Sequence, residues 1–292
     1  MLARLTSGFV GIAIFLWLCF WGLRPFAVGV TVVAGLGAAE FIAAYRGIAG
    51  ETLLSLPSRS TWLNGAATWV GIAFPLLAFN TWLEMRQEAT LYALALAFIV
   101  GMFSLLISRA IRTGRTLGRM TACYGLVGLV YVGALFSGLV IMRGIPGRVN
   151  VFPFGGADLG AWAMLMVAAS VWMADSAAYF AGRQFGKRPL APSLSPKKTI
   201  EGATAGLLCA SLFGAAFAAW LHIPPIHGVA VGAIAGLVGP LGDLFESGLK
   251  REIGVKDFGA VMPGHGGTLD RFDSLLFVCP LAYLYLRLIA GL

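Results

Sequence analysis

The stretch LGAWAMLMVAASVWMADSAAYFA (159–181) decides what kind of chain this is. Nothing between Leu159 and Ala174 is charged; then Asp175 appears, four residues before Tyr179 and so on the same helix face. About 20 mostly apolar residues are what an α-helix needs to cross the hydrocarbon of a bilayer. Eight further stretches read the same way: 6–23, 26–45, 61–83, 89–108, 121–142, 202–222, 226–245 and 273–291. The first resembles a signal-peptide core behind Arg4, but it runs on through Trp17 and Trp21 without an obvious cleavage site and is read as a helix.

Composition agrees. Of 292 residues, 59% are hydrophobic and 12% charged, and the mean hydropathy is +0.85. A soluble domain carries about 25% charge to cover its core. Disorder, collagen and a disulfide scaffold are excluded by the same numbers. The 39 glycines suit close helix approach in lipid, where no hydrophobic effect drives helices together. Cys19, Cys123, Cys209 and Cys279 sit far apart in apolar runs, which suits packing better than a zinc site. The expected fold is therefore an all-α polytopic membrane protein of about nine transmembrane helices.

Basic residues choose the orientation. With nine spans, Arg4, Arg46, Arg59, the four arginines between 109 and 119, five basic residues between 183 and 198, and Lys250, Arg251, Lys256 and Arg271 fall on one side. Arg24, Arg86, Arg143 and Arg148 fall on the other, with Arg287 near the end of the last span. That bias puts the N-terminus and the long loops in the cytoplasm, and the expected location is the cell (inner) membrane. The net charge of +8 then reflects topology and attraction to anionic lipid; no nucleic-acid partner is expected.

Acidic residues are scarce enough to follow singly. Asp175, Asp243 and Glu246 lie in or against apolar runs, where a carboxylate costs about 2.5–3.5 kcal/mol on insertion scales. Such placement asks for a metal, a basic partner or a water-filled cavity. The expected division is an N-terminal scaffold, 1–158, and a C-terminal catalytic region, 159–292, with cytoplasmic loops 182–201 and 247–272.

Two constellations carry the chemistry. In DSAAYFAGRQFGKRPLAPSLSPKKTIEG (175–202), Lys197 and Lys198 with the hydroxyls of Ser195 and Thr199 suit polyphosphate at headgroup level. An ordinary positive-inside loop explains the same lysines. The second is GPLGDLFESGLKREIGVKDFGAVMPGHGGTLDRFDSL (239–275). Asp243, Glu246, Ser247 and Lys250 share one helix face, and Asp270 and Asp273 form a second i, i+3 pair. Between them, Pro263-Gly264-His265-Gly266-Gly267 has free N–H groups before a helix start and suits an anion. His265 alone would more often be a hydrogen-bonded loop residue than a base or ligand. Mg²⁺ takes one or two carboxylates and completes its shell with water and substrate phosphate, so the pattern suggests metal-assisted phosphoryl or nucleotidyl transfer.

These stretches resemble the C-terminal half of the phosphatidate cytidylyltransferases, also called CDP-diacylglycerol synthases. The family signature is met by Ser247, Lys250, Arg251, Lys256, Asp257, Gly259, Pro263, His265, Gly266, Gly267, Asp270, Arg271 and Asp273. The upstream Asp-Ser-x-Ala-Tyr, Phe-Gly-Lys and Ser-Pro-Lys-Lys-Thr-x-Glu-Gly segments match as well. Ser176 replaces a more usual threonine, and Met262 and Thr268 replace apolar residues; no charged or glycine position is lost. The likeness covers roughly the last 40% of the chain.

The resemblance implies CTP + phosphatidic acid → CDP-diacylglycerol + pyrophosphate with Mg²⁺, the presence of a second cation being left open. It also implies a cytoplasm-facing polar cavity in the C-terminal half, and it admits a homodimer. By this analogy Asp243 and Asp270 would hold the metal, supported by Asp273 and Glu246. Lys197, Lys198, Lys250, Arg251, Lys256 and Arg271 would meet phosphate charge, alongside Ser195, Thr199, Ser247, His265, Gly266 and Gly267. Asp175 would orient a lysine or a water. Competing expectations are a secondary transporter for an anionic metabolite, disfavoured by the lack of a visible inverted repeat, and a CTP-dependent lipid kinase. A purely structural membrane scaffold is disfavoured by the acid cluster.

Overall fold

The computed structural model describes residues 2–49, 131–151, 155–192, 194–259 and 266–292. The expected spans 61–83 and 89–108, the first part of 121–142, Cys123 and His265 lie outside the described residues. Within them the chain is mostly helical. Helix α1 (Leu2–Trp21) is followed directly by α2 (Leu23–Ala49). The break falls at Gly22, whose φ of 142° suits glycine alone. Helix α3 is described over Tyr131–Arg143. Next come a hairpin of β1 (Arg148–Val151) and β2 (Gly155–Asp158) and the long α4 (Leu159–Phe185). A second hairpin, β3 (Pro189–Ala191) with β4 (Ser195–Thr199), leads into α5 (Ile200–Trp220), α6 (Pro225–Ile253) and α7 (Leu269–Leu288).

Among the described residues, four helices are long and apolar enough to cross a membrane: Leu23–Phe41 within α2, α4, α5 and Pro225–Arg251 within α6. Gly8–Trp21 and Tyr131–Arg143 are shorter apolar helices. Helix α7, expected as a span over 273–291, is not among the four. Asp270, Arg271 and Asp273 begin it and Arg287 ends it, which interrupts its apolar run.

Two features depart from an all-α expectation and from the expected bounds. Both hairpins lie where proline and glycine deny a helix, around Pro146-Gly147 and between Pro189 and Pro196. Helix α6, expected to end at 245, continues through Pro240 to Ile253. It stops at Gly254 in the left-handed conformation, whose N–H caps the Lys250 and Arg251 carbonyls.

The α4–α5–α6 layer is held by small residues. A Cβ on Gly228 would fall on the Gly214 carbonyl of α5, and one on Gly206 would press the Ala174 carbonyl of α4, so the backbones meet almost directly. Helix α3 ties the halves together. The Tyr131 ring packs at a tilt against Phe245 of α6 and Phe277 of α7, with centroids at 5.4 and 5.9 Å, and those two rings also touch each other. At the other end of α3, the buried Arg143 donates to the Cys19 carbonyl at 2.7 Å and to Asp158, the N-cap of α4, at 2.8 Å. Phe9, Ile14, Val28, Val32, Leu208, Leu212 and Leu241 are exposed, an apolar surface in keeping with helices long and apolar enough to cross a membrane.

Candidate active site

The expected face of α6 forms. Asp243, Glu246, Ser247 and Lys250 occupy successive turns, and α7 crosses beside them. Gly242 permits this crossing, because a Cβ there would meet the Asp273 carbonyl at 2.7 Å and the Phe277 ring. The acid pair of α7 is thereby placed against the acid pair of α6.

Lys250 sits at the centre of a closed network. Its Nζ donates to Glu246 Oε1 at 3.0 Å and to Asp270 Oδ1 at 2.7 Å. Glu246 is fully buried, and its other oxygen accepts from the Tyr131 hydroxyl at 3.0 Å. Asp270 Oδ2 accepts from the Phe258 N–H at 3.1 Å and the Gly267 N–H at 2.8 Å. Burial works against its charge, but the Lys250 ammonium and the Gly267 N–H outweigh that and hold the carboxyl below its ordinary value.

A second, more open network lies alongside. Lys198 Nζ reaches Asp243 Oδ2 at 2.5 Å, with both side chains partly exposed, and the Ser247 hydroxyl donates to Asp243 Oδ1 at 3.3 Å. Asp175 of α4 lies within electrostatic reach of Asp243 and Lys198. Asp273 lies within reach of Asp243, Asp175 and Lys250. Three helices and one hairpin thus converge with alternating charge, at the ends of α4 and α6 that carry the basic loops.

Several expected residues sit elsewhere or are otherwise engaged. The SPKKT segment is strand β4, not a loop; there Thr199 caps α5, accepting from the Gly202 N–H at 3.1 Å. Ser195 pairs with Ala191 across the hairpin. Lys197, Arg251, Lys256 and Arg271 are exposed. Of the glycine turn expected to face an anion before α7, the Gly267 N–H is engaged by one of the protein's own carboxylates, and so are the two N–H groups that follow it. Gly267 donates to Asp270, while Thr268 and Leu269 donate to Glu40 Oε2 at 2.6 and 3.4 Å. Among the described residues, no three His, Cys, Asp or Glu side chains converge to hold a metal by themselves.

The Cytidylyltransferase family profile matches residues 2–289. The chain belongs to that family. It is 31% identical over 294 residues to the phosphatidate cytidylyltransferase of Bacillus subtilis (strain 168), a match covering 99% of this chain and 98% of that one. The phosphatidate cytidylyltransferase of Staphylococcus aureus (strain COL) is 35% identical over 221 residues, 74% of this chain and 76% of its own. That of Staphylococcus epidermidis (strain ATCC 12228 / FDA PCI 1200) is 37% identical over 202 residues, 68% of this chain and 69% of its own. Family membership makes this chain a nucleotidyl-transferring enzyme, and it extends beyond the C-terminal stretches to the N-terminal helices.

Those helices supply two site residues that sequence reasoning left aside. Glu40 of α2 is buried against the glycine turn before α7, and Tyr131 of α3 holds Glu246. Glu40 carried a signal, a lone acid between Ala39 and Phe41 in an apolar run. Tyr131 carried none, since an aromatic residue in an apolar helix ordinarily packs.

Proposed function

We propose that this enzyme transfers the cytidylyl group of CTP to phosphatidic acid, releasing CDP-diacylglycerol and pyrophosphate at the cytoplasmic face of a bacterial inner membrane. A phosphatidate oxygen attacks the α-phosphorus of CTP, a new P–O bond forms, and the bond to the β-phosphate oxygen breaks as pyrophosphate leaves. No protein nucleophile is needed. Two polyanions must meet, so charge compensation and alignment are the main tasks. The observation that carries the reading is the convergence of Lys198, Asp243, Lys250, Asp270 and Asp273 from three separate elements, in a chain of this family.

The donor chemistry fits Mg²⁺. Asp243 and Asp273, both partly exposed, offer hard carboxylate oxygens, and Mg²⁺ needs only one or two of them. Asp243 is the first candidate ligand, with Asp273 beside it and Asp270 behind. When bound, the ion would neutralise phosphate charge and stabilise the charge that builds on the leaving group. Glu246, with both oxygens engaged inside the protein, supports Lys250 in this reading. Lys198 and Lys250 pair with carboxylates and can turn to phosphate when substrate enters. Asp175 orients Lys198, while the exposed Lys197, Arg251, Lys256 and Arg271 supply positive charge that draws anions toward the site.

The deciding experiment supplies the purified enzyme with phosphatidic acid and CTP labelled at the α- or the γ-phosphate, with and without Mg²⁺. The α-label should enter lipid, and only with the metal. Entry of the γ-label would make the enzyme a lipid kinase, and flux of an anion into protein-containing liposomes without lipid product would make it a transporter. Lys198→Ala should raise the apparent KM for CTP or phosphatidate by about tenfold, the scale of one charged hydrogen bond. Unchanged Michaelis constants for both would return β4 to a purely topological role.

A further inference from the structure

Glu40 is an acidic residue inside an apolar helix, an expensive placement, and it is only 7% exposed. What it touches is the start of α7. The first N–H groups of any helix lack intrahelical partners, and a local N-cap side chain ordinarily takes one of them. Here the N-cap is Thr268, which has helical φ and ψ and makes no side-chain cap. Glu40 Oε2 does the work from 228 residues away, accepting from the Thr268 N–H at 2.6 Å and, 229 residues away, from that of Leu269 at 3.4 Å. Its charge also suits the positive end of the α7 dipole.

The same turn of α2 braces both backbone groups that hold Asp270. A Cβ on Gly267 would meet Glu40 Oε2 at 2.7 Å, and a Cβ on Gly37 would meet the Leu269 side chain at 3.0 Å. Phe41 packs on Phe258, ring centroids 5.4 Å apart. Phe258 and Gly267 are the two residues whose N–H groups donate to Asp270 Oδ2. Glu40 and Phe41 therefore brace both sides of the Asp270 cradle.

We propose that Glu40 is a positioning residue: acting from α2 through the Gly267–Leu269 turn, it sets Asp270 and Asp273 against α6 for transfer. This rests on the nucleotidyl-transfer reading of the α6–α7 site. Glu40 itself touches no reacting atom.

The test uses the full chain in lipid nanodiscs, comparing Glu40→Ala and Glu40→Gln with the parent. Hydrogen–deuterium exchange reads the Thr268 and Leu269 amides, and steady-state kinetics with CTP and phosphatidic acid separate kcat from KM. Glu40→Ala should speed exchange at those amides, leave α5 unchanged, and lower kcat by about 10²-fold, the scale of a misplacement of about 1 Å. Its KM for CTP should stay near the parent's. Glu40→Gln keeps an acceptor oxygen in place and should restore both protection and most of kcat. Unchanged exchange in Glu40→Ala overturns the cap. Faster exchange with parental kcat overturns the positioning role, and so does loss of protection throughout the bundle in both variants. If the parent moves no α-label into lipid, the transfer reading fails and the positioning role with it, while the exchange data still decide whether Glu40 caps α7.

Discussion

Asp243→Asn and Asp270→Asn are both expected to remove nearly all transfer of the α-label into lipid, and to differ sharply in stability. Each loses a formal charge that the proposed chemistry requires, and losing one preorganised electrostatic group costs about 10²–10³-fold in turnover. Their surroundings differ. Asp243 is partly exposed, with 35% of its side chain accessible, and pairs with a Lys198 that is also partly exposed. Such pairs contribute about 0–1 kcal/mol, so Asp243→Asn should unfold near the parental temperature. The Asp270 side chain is 3% exposed, and it holds the Lys250 ammonium as well as the Phe258 and Gly267 N–H groups. An asparagine with its oxygen in the Oδ2 position still accepts from both N–H groups but gives up a charged hydrogen bond to Lys250, worth about 1.5–3 kcal/mol. Thermal unfolding in detergent beside α-label transfer at saturating Mg²⁺ reads both properties. Turnover within a few-fold of the parent would remove that residue from the metal site. Equal unfolding temperatures for the two variants would show that the Asp270 network adds no stability.

Lys250→Met should produce the largest stability loss of any single change at the site. One ammonium serves two carboxylates, with 14% of its own side chain exposed against 0% for Glu246 and 3% for Asp270. Removing it leaves two acids at close quarters in a water-poor setting. Breaking a buried pair from one side costs about 3–5 kcal/mol, a fall on the order of 10 °C in Tm. The methionine stem fills most of the lysine's volume, so a cavity does not explain the effect. Adding Glu246→Gln should recover part of the loss, because one of the stranded charges is gone and the amide still accepts from Tyr131. A double variant no more stable than the single would show that the loss is one of packing, not of charge. Transfer should be absent in both, since neither restores a cation beside Asp270.

How much of this was legible before folding depends on the range of the interaction. Membrane character, a helix over 159–181 and the face shared by Asp243, Glu246, Ser247 and Lys250 follow from composition and from spacing of three or four residues, which a helix converts directly into geometry. The site region was legible for the same reason: acids in apolar sequence are costly and therefore conspicuous. The SPKKT hairpin was not, because strand pairing depends on a partner several residues upstream. The expected anion cradle looked open because Gly266 and Gly267 carry no side chains; which carboxylates would reach their neighbours' N–H groups was a question for distant chain.

By itself, then, the order of residues settled the solvent, the helical elements and the faces on which charge gathers, since each of these is a local consequence of hydrophobicity and backbone period. Only the tertiary structure decided who neutralises whom. Glu40 caps a helix 228 residues on, Tyr131 holds Glu246 across 115 residues, and Lys250 chooses two acids from several nearby. Those choices are set by close helix approach at Gly242 and by exclusion of water from the Lys250 network, and neither quantity exists until the helices pack.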